Sequence, residues 1–145
     1  MSANVESRFF GDMGDDYKGL WQLVDKLDDA FLKDNVEFIS FYEEYVKLIS
    51  KYEKHYTSLE YVFVKAIKHN KEKIFNELEK KYHPKENAAV FWAAKINNYE
   101  LTYRLVSRGL KDNLALKAAY ENNNITIFLL LFKAGMRYRE DGARY

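Results

Sequence analysis

Imidazole can ligate metals and move protons near neutral pH, so His55, His69 and His83 are the first residues to weigh for chemistry. Successive histidines lie 14 residues apart, so none forms the i, i+3 or i+4 pair by which one helix presents two ligands to a metal. His83 precedes Pro84 in a Tyr-His-Pro stretch, the place of a turn residue. Asp12, Asp15 and Asp16 supply carboxylates, but without the alternating oxygen spacing and closing Glu of a calcium loop. With no cysteine, disulfides, thiolate zinc sites and cysteine nucleophiles are all excluded. No glycine-rich phosphate loop, G-x-S-x-G or H-E-x-x-H motif occurs, and the Glu and Lys residues scatter without forming an acid–base pair. The expectation is a protein with no cofactor, no metal and no catalytic residues.

Binding is the remaining chemistry. The net charge of +1 conceals two opposed halves. Residues 1–60 carry 13 acidic and 7 basic side chains, and residues 61–145 carry 9 acidic and 16 basic ones. Such polarity steers an acidic partner toward the second half, or favours head-to-tail contact between copies. Lysines interleaved with aromatics suggest nucleic acid as well. However, Lys65, Lys68, Lys71 and Lys73 alternate with Glu72 and Glu77, a weaker bias than a dedicated nucleic-acid binder shows. A protein partner is therefore the first reading, with nucleic acid as runner-up. Tyr99 and Tyr103, on one second helix, are further candidates for contact.

These residues need positioning elements. A hydrophobic content of 48% predicts a folded globule. One proline, Pro84, and little period-2 alternation predict nearly all helix. Residues 1–18, with Gly11, Gly14, Asp15 and Asp16, read as a flexible acidic head. Leu20, Leu23, Val24 and Leu27 mark a first apolar face, Phe38, Tyr42, Tyr45 and Ile49 a second, and Leu59, Val62, Phe63, Ala66 and Ile67 a third. The N-terminus has no signal-peptide core, and the longest apolar run, Ile125 to Phe132, falls far short of the ~20 residues that span a bilayer. An intracellular protein without a membrane role is expected.

The helices recur in register. Ala30, Ala66, Ala93 and Ala119 are followed four residues later by Asp34, Asn70, Asn97 and Asn123. Eight later stand Phe38, Ile74, Leu101 and Ile127; nine later Ile39, Phe75, Thr102 and Phe128; twelve later Tyr42, Leu78, Leu105 and Leu131. A small alanine permits close helix approach. Asn and Asp tolerate the left-handed conformation useful at a joint between two helices. The three later columns make a stripe that must be buried.

On these residues the chain resembles the ankyrin repeat. NLALKAAYENNNITIFLLLFKAGM (113–136) follows the family's helix–turn–helix pattern, and AAKINNYELTYRLVSRGL (93–110) follows it without a gap. Residues 66–82 and 30–42 are looser copies. The TPLH motif is absent, with AAVF (88–91) and LALK (114–117) in its place, and spacings of 27 and 26 fall short of the family's ~33 residues. The resemblance implies an all-α solenoid of about four helix pairs with reduced β-hairpin fingers, over approximate repeats 19–52, 57–82, 87–110 and 113–136. Residues 137–145 would form a tail or cap, through Tyr138 and Tyr145, for the helix of Ile127, Phe128 and Leu131. It further implies a non-catalytic protein–protein interaction module, with a homo-oligomer as one form of partnership. Short repeats rich in Asn, Lys, Tyr and Ile are similar in style to those of large DNA viruses, which implies a host or viral partner in the host cytoplasm or virion. The family's contact positions lie just before and at the end of each first helix. Carried over, they are Glu60, Lys68 and His69; Asn87, Lys95 and Ile96; and Asn113, Glu121 and Asn122.

Overall fold

The computed structural model describes residues 15–52 and 58–139, which contain eight helices and no strand. They are α1 (Asp15–Leu32), α2 (Glu37–Ile49), α3 (Leu59–Lys68), α4 (Glu72–Tyr82), α5 (Ala88–Lys95), α6 (Tyr99–Ser107), α7 (Asn113–Glu121) and α8 (Ile125–Lys133). None of the described helices is long and apolar enough to cross a membrane. The chain divides at Ser58 into two compact units, one holding α1 and α2, the other α3 to α8.

In the first unit α1 buries Leu20, Leu23, Leu27 and Ala30 against α2, which contributes Phe38, Ile39, Tyr42 and Ile49. Residues 15–18, expected within the acidic head, are helical, and the rest of that head lies outside the described residues. Asp12, His55 and Tyr145 lie outside the described residues. The phenol of Tyr52, just beyond α2, donates to Asp16 Oδ2 at 2.6 Å and ties α1 to the chain leaving α2.

In the second unit the helices form pairs, α3 with α4, α5 with α6, and α7 with α8. The first members lie side by side, α3 on α5 and α5 on α7, and α6 also meets α8. Ala66, Ala89, Ala93, Ala94, Ala115 and Ala119, all fully buried, let these backbones approach. The second members fill the interior with Ile74, Phe75, Leu78, Leu101, Leu105, Ile127 and Leu131. Burying each such side chain stabilises the fold by roughly 1.5–3 kcal/mol.

One joint recurs in both units. Asp34, Asn70, Asn97 and Asn123 take φ of 51°, 54°, 61° and 54°. That left-handed residue turns the chain so that the next N–H donates to the carbonyl of Ala30, Ala66, Ala93 or Ala119 at 2.8–3.0 Å. The left-handed residue's own N–H closes on the carbonyl three back, completing a two-bond helix cap. Asn98 and Asn124 then begin the following helix, their Oδ1 atoms accepting from the N–H groups of Leu101 and Ile127 at 3.0 Å. Gly109 and Gly135, at φ of 88° and 98°, end α6 and α8 by the same closure onto Leu105 and Leu131.

A buried carboxylate adds a polar tie between α4 and α6. Glu79 accepts from Arg104 Nε at 2.8 Å and lies 3.6 Å from Arg108 Nη1, while Arg108 Nη2 donates to the Pro84 carbonyl. The cation pair compensates a charge that would otherwise be expensive to bury.

Two outcomes follow from these ties. Asn123→Gly should stay within about 0.5 kcal/mol of the parent in urea unfolding, whereas Asn123→Val, forced into the left-handed region, should lose roughly 1–2 kcal/mol. The hydrogen bond to Asp16, then burial, then the Asp16 charge hold the Tyr52 phenol above its ordinary 10.0. The neutral phenol is thus the form the fold favours, and its contribution is present below pH 10 and lost as pH rises through the raised value. Tyr52→Phe should therefore lower the melting temperature at pH 8, and the gap to the parent should close above pH 10.

Candidate recognition surface

The ends of α3, α5 and α7 form the edge where the sequence places most of its contact positions. Lys68 and His69 close α3 and are exposed; Lys95 is exposed and Ile96 half-buried at the end of α5. Glu121 and Asn122 are exposed at the end of α7. Asn122 Nδ2 donates to the Lys95 carbonyl at 2.9 Å, which joins the last two of these helix ends directly. Glu60 sits apart, half-buried in the first turn of α3.

Lysines and aromatic rings cluster along this edge. Lys68 Nζ lies 5.2 Å from the centroid of the Trp92 ring, and Lys95 Nζ lies 5.6 Å from that of Phe91. The two rings are neighbours, 4.9 Å apart and tilted by 56°, and both are half-buried. An ammonium over an exposed ring gains about 0.5–1 kcal/mol, enough to bias the lysine rotamers without burying their charge. The result is a strip of two positive heads on an aromatic floor, bordered by Ile96. Neither Trp92 nor Phe91 is among the contact positions expected from the sequence. Only the Phe91 contact has a local signal, Lys95 four residues on along the same helix, whereas Lys68 reaches Trp92 from a different helix.

Two of the expected contact residues, both exposed, also bond within the chain. Asn87 Oδ1 accepts from the Lys111 N–H at 3.1 Å, and Asn113 Oδ1 accepts from the Arg137 N–H at 3.0 Å. Each bond runs 24 residues forward and fastens the start of a first helix to the chain leaving the next second helix. Asn122 and Asn124 each donate to Asn97 Oδ1, at 3.4 and 3.1 Å, which extends this amide ladder along the joints. Glu121 pairs with Lys117 at 3.8 Å.

Of the histidines, His69 and His83 are exposed, and His83 is left-handed at φ 48°. Among the described residues no group of three or more His, Cys, Asp or Glu side chains is placed to hold a metal. Tyr99 and Tyr103 stack on the outer side of α6 with centroids 6.3 Å apart, exposed by 43% and 53%.

Of the three α8 residues expected to seek cover, only Phe128 lies on the open side. Ile127 and Leu131 are fully buried, and the open side carries Ile125, Phe128, Leu129 and Phe132. With Leu116 and Tyr120 of α7 and with Tyr138, Phe128 and Phe132 line a groove of about 740 Å³.

No protein-family model, curated protein or solved structure matches this chain.

Ile96, half-buried at the end of α5, is the position at which core and surface roles can be separated by substitution. In urea unfolding Ile96→Asp should remain within about 1 kcal/mol of the parent, while Ile67→Asp, at a fully buried position, should lose several kcal/mol or fail to fold.

Proposed function

We propose that this chain is a non-catalytic protein-recognition module built as a short stack of ankyrin-like helix pairs. The observation that carries the reading is the repeated joint. One buried alanine, one left-handed Asp or Asn and one apolar stripe return in each of four helix pairs. In the second unit the first helices then lie next to one another. A stack of this kind offers equivalent positions of successive pairs along one edge, and such an edge can be lengthened or altered without touching the core.

The exposed groups on that edge suit binding. Lys68 and Lys95 offer positive charge, Phe91 and Trp92 offer flat apolar area, and Ile96 offers an aliphatic anchor. Aromatic rings in a partly desolvated setting supply contact area at small entropic expense. Charged groups at the rim set orientation and association rate. The partner that fits is a protein segment with carboxylates flanking an apolar side chain. Interleaved lysine and aromatic residues also favour a second reading, single- or double-stranded nucleic acid. Glu121, in the same column as Lys68 and Lys95, weakens the positive track that such a ligand needs.

Affinity capture from nuclease-treated lysate, with the parent and a Lys68→Glu/Lys95→Glu variant as baits, tests the first reading. Proteins retained by the parent should be lost about tenfold from the variant, with the two melting temperatures alike. Equal retention by both baits would remove the edge from the binding role. Binding of a random duplex that weakens steeply between 50 and 200 mM salt would instead favour nucleic acid.

A further inference from the structure

The open groove of α7 and α8 is polarised along its length. At the joint end it is apolar, with Tyr120 exposed by 68% and Ile125 by 70%, and Phe128 between them. At the other end it is basic. Lys117 lies 5.5 Å from the Tyr138 ring, and the Arg137 guanidinium lies 3.7 Å over the Phe132 ring, with Lys133 and Arg139 exposed nearby in sequence. The charge of Glu121 is met by Lys117. Tyr120 and Phe128 occupy the positions that α5 and α6 fill with Ala94 and Thr102, both fully buried. What α7 and α8 leave open is thus a helix-packing face.

A helix with the matching pattern exists in this chain. Opposite its buried side, α1 carries Trp21, Asp25, Asp28 and Leu32 at spacings of four, three and four, a single stripe on one face. Trp21 is exposed by 41% and Leu32 by 73%, and both aspartates are exposed. Trp21 and Asp28 are about 10 Å apart along the helix, the same rise that separates Ile125 from Phe132 on α8. An aromatic ring at one end and two carboxylates one and two turns on complement a groove that is apolar at one end and cationic at the other. The opposite charge of the two halves of the chain acts in the same sense over longer range.

We propose that the α7–α8 groove receives α1 of a second copy of this chain, with Trp21 against Tyr120, Ile125 and Phe128 and with Asp25 and Asp28 facing Lys117 and Arg137. The contact is heterologous, since groove and stripe are different surfaces, so each bound copy still offers one of each. It goes beyond the recognition edge of α3, α5 and α7 and does not depend on it.

Sedimentation velocity of the full chain over a concentration series up to about 1 mM tests the proposal. The parent should associate, less so at high salt. A stripe variant, Trp21→Ala/Asp25→Lys, and a groove variant, Tyr120→Asp/Phe132→Asp, alter exposed side chains, and circular dichroism checks that each folds. Each should need at least about tenfold higher concentration to associate. Mixed together they should form a one-to-one dimer that does not grow, because only one intact groove and one intact stripe remain. Lys68→Glu/Lys95→Glu should associate like the parent, which separates this result from failure of the recognition edge. A parent that stays monomeric throughout, variants that associate unchanged, or a mixture that forms no dimer would each overturn the proposal.

Discussion

Every helix pair depends on a residue that must leave its helix with φ near +55° and lead at once into the next. The left-handed region costs a β-branched or bulky residue on the order of 1–2 kcal/mol, and Asn and Asp much less, because their short polar groups bond locally. Once the chain turns there, the following N–H has one carbonyl within reach, that of the alanine five residues before it. The alanine therefore has two duties. Its carbonyl closes the helix, and its methyl group leaves room for the neighbouring first helix. A larger side chain at Ala93 would keep the first duty and break the second.

Packing follows from that constraint. Short helices of 8–11 residues in the second unit would be marginal in isolation, since helix nucleation is costly and few bonds follow it. They persist because each buries one face on its pair and another on its neighbours. Polar ties then fix what apolar contact leaves free. The Glu79, Arg104 and Arg108 cluster sets α4 against α6, and Asn87 and Asn113 anchor the connections that carry no secondary structure.

The columns of alanine, of Asp or Asn, and of apolar residues are legible in the sequence because their physical causes are local or periodic. A left-handed joint demands particular residue types, and a buried stripe demands helical spacing. The helical class and the positions of all four joints follow from this alone. Less legible is what long-range geometry decides. Asn87 and Asn113 stand where contact residues are expected, yet bond to backbone 24 residues away, and no local pattern announces that reach. Residues 15–18 are helical although Asp15 and Asp16 have poor intrinsic helix propensity, and the Tyr52 phenol that bonds Asp16 comes from 36 residues away. Trp92 and Phe91 are ambiguous for a related reason. Aromatic residues serve equally in cores and at surfaces, and here both rings are half-buried with lysine heads beside them.

The amide ladder at the joints has a direction, and this gives it an unequal resistance to chemical ageing. Asn97 takes part as an acceptor, whereas Asn122 and Asn124 take part as donors. Hydrolysis of a side-chain amide replaces its NH₂ with a second oxygen, removing donors while keeping acceptors. Conversion of Asn97 to a carboxylate would leave both bonds available and strengthen them through charge. Conversion of Asn122 would set a carboxylate against the Lys95 carbonyl and the Asn97 oxygen, turning attraction into repulsion. Damage at the end of α7 would thus loosen its link to the end of α5 first, while the same reaction one pair earlier would pass unnoticed.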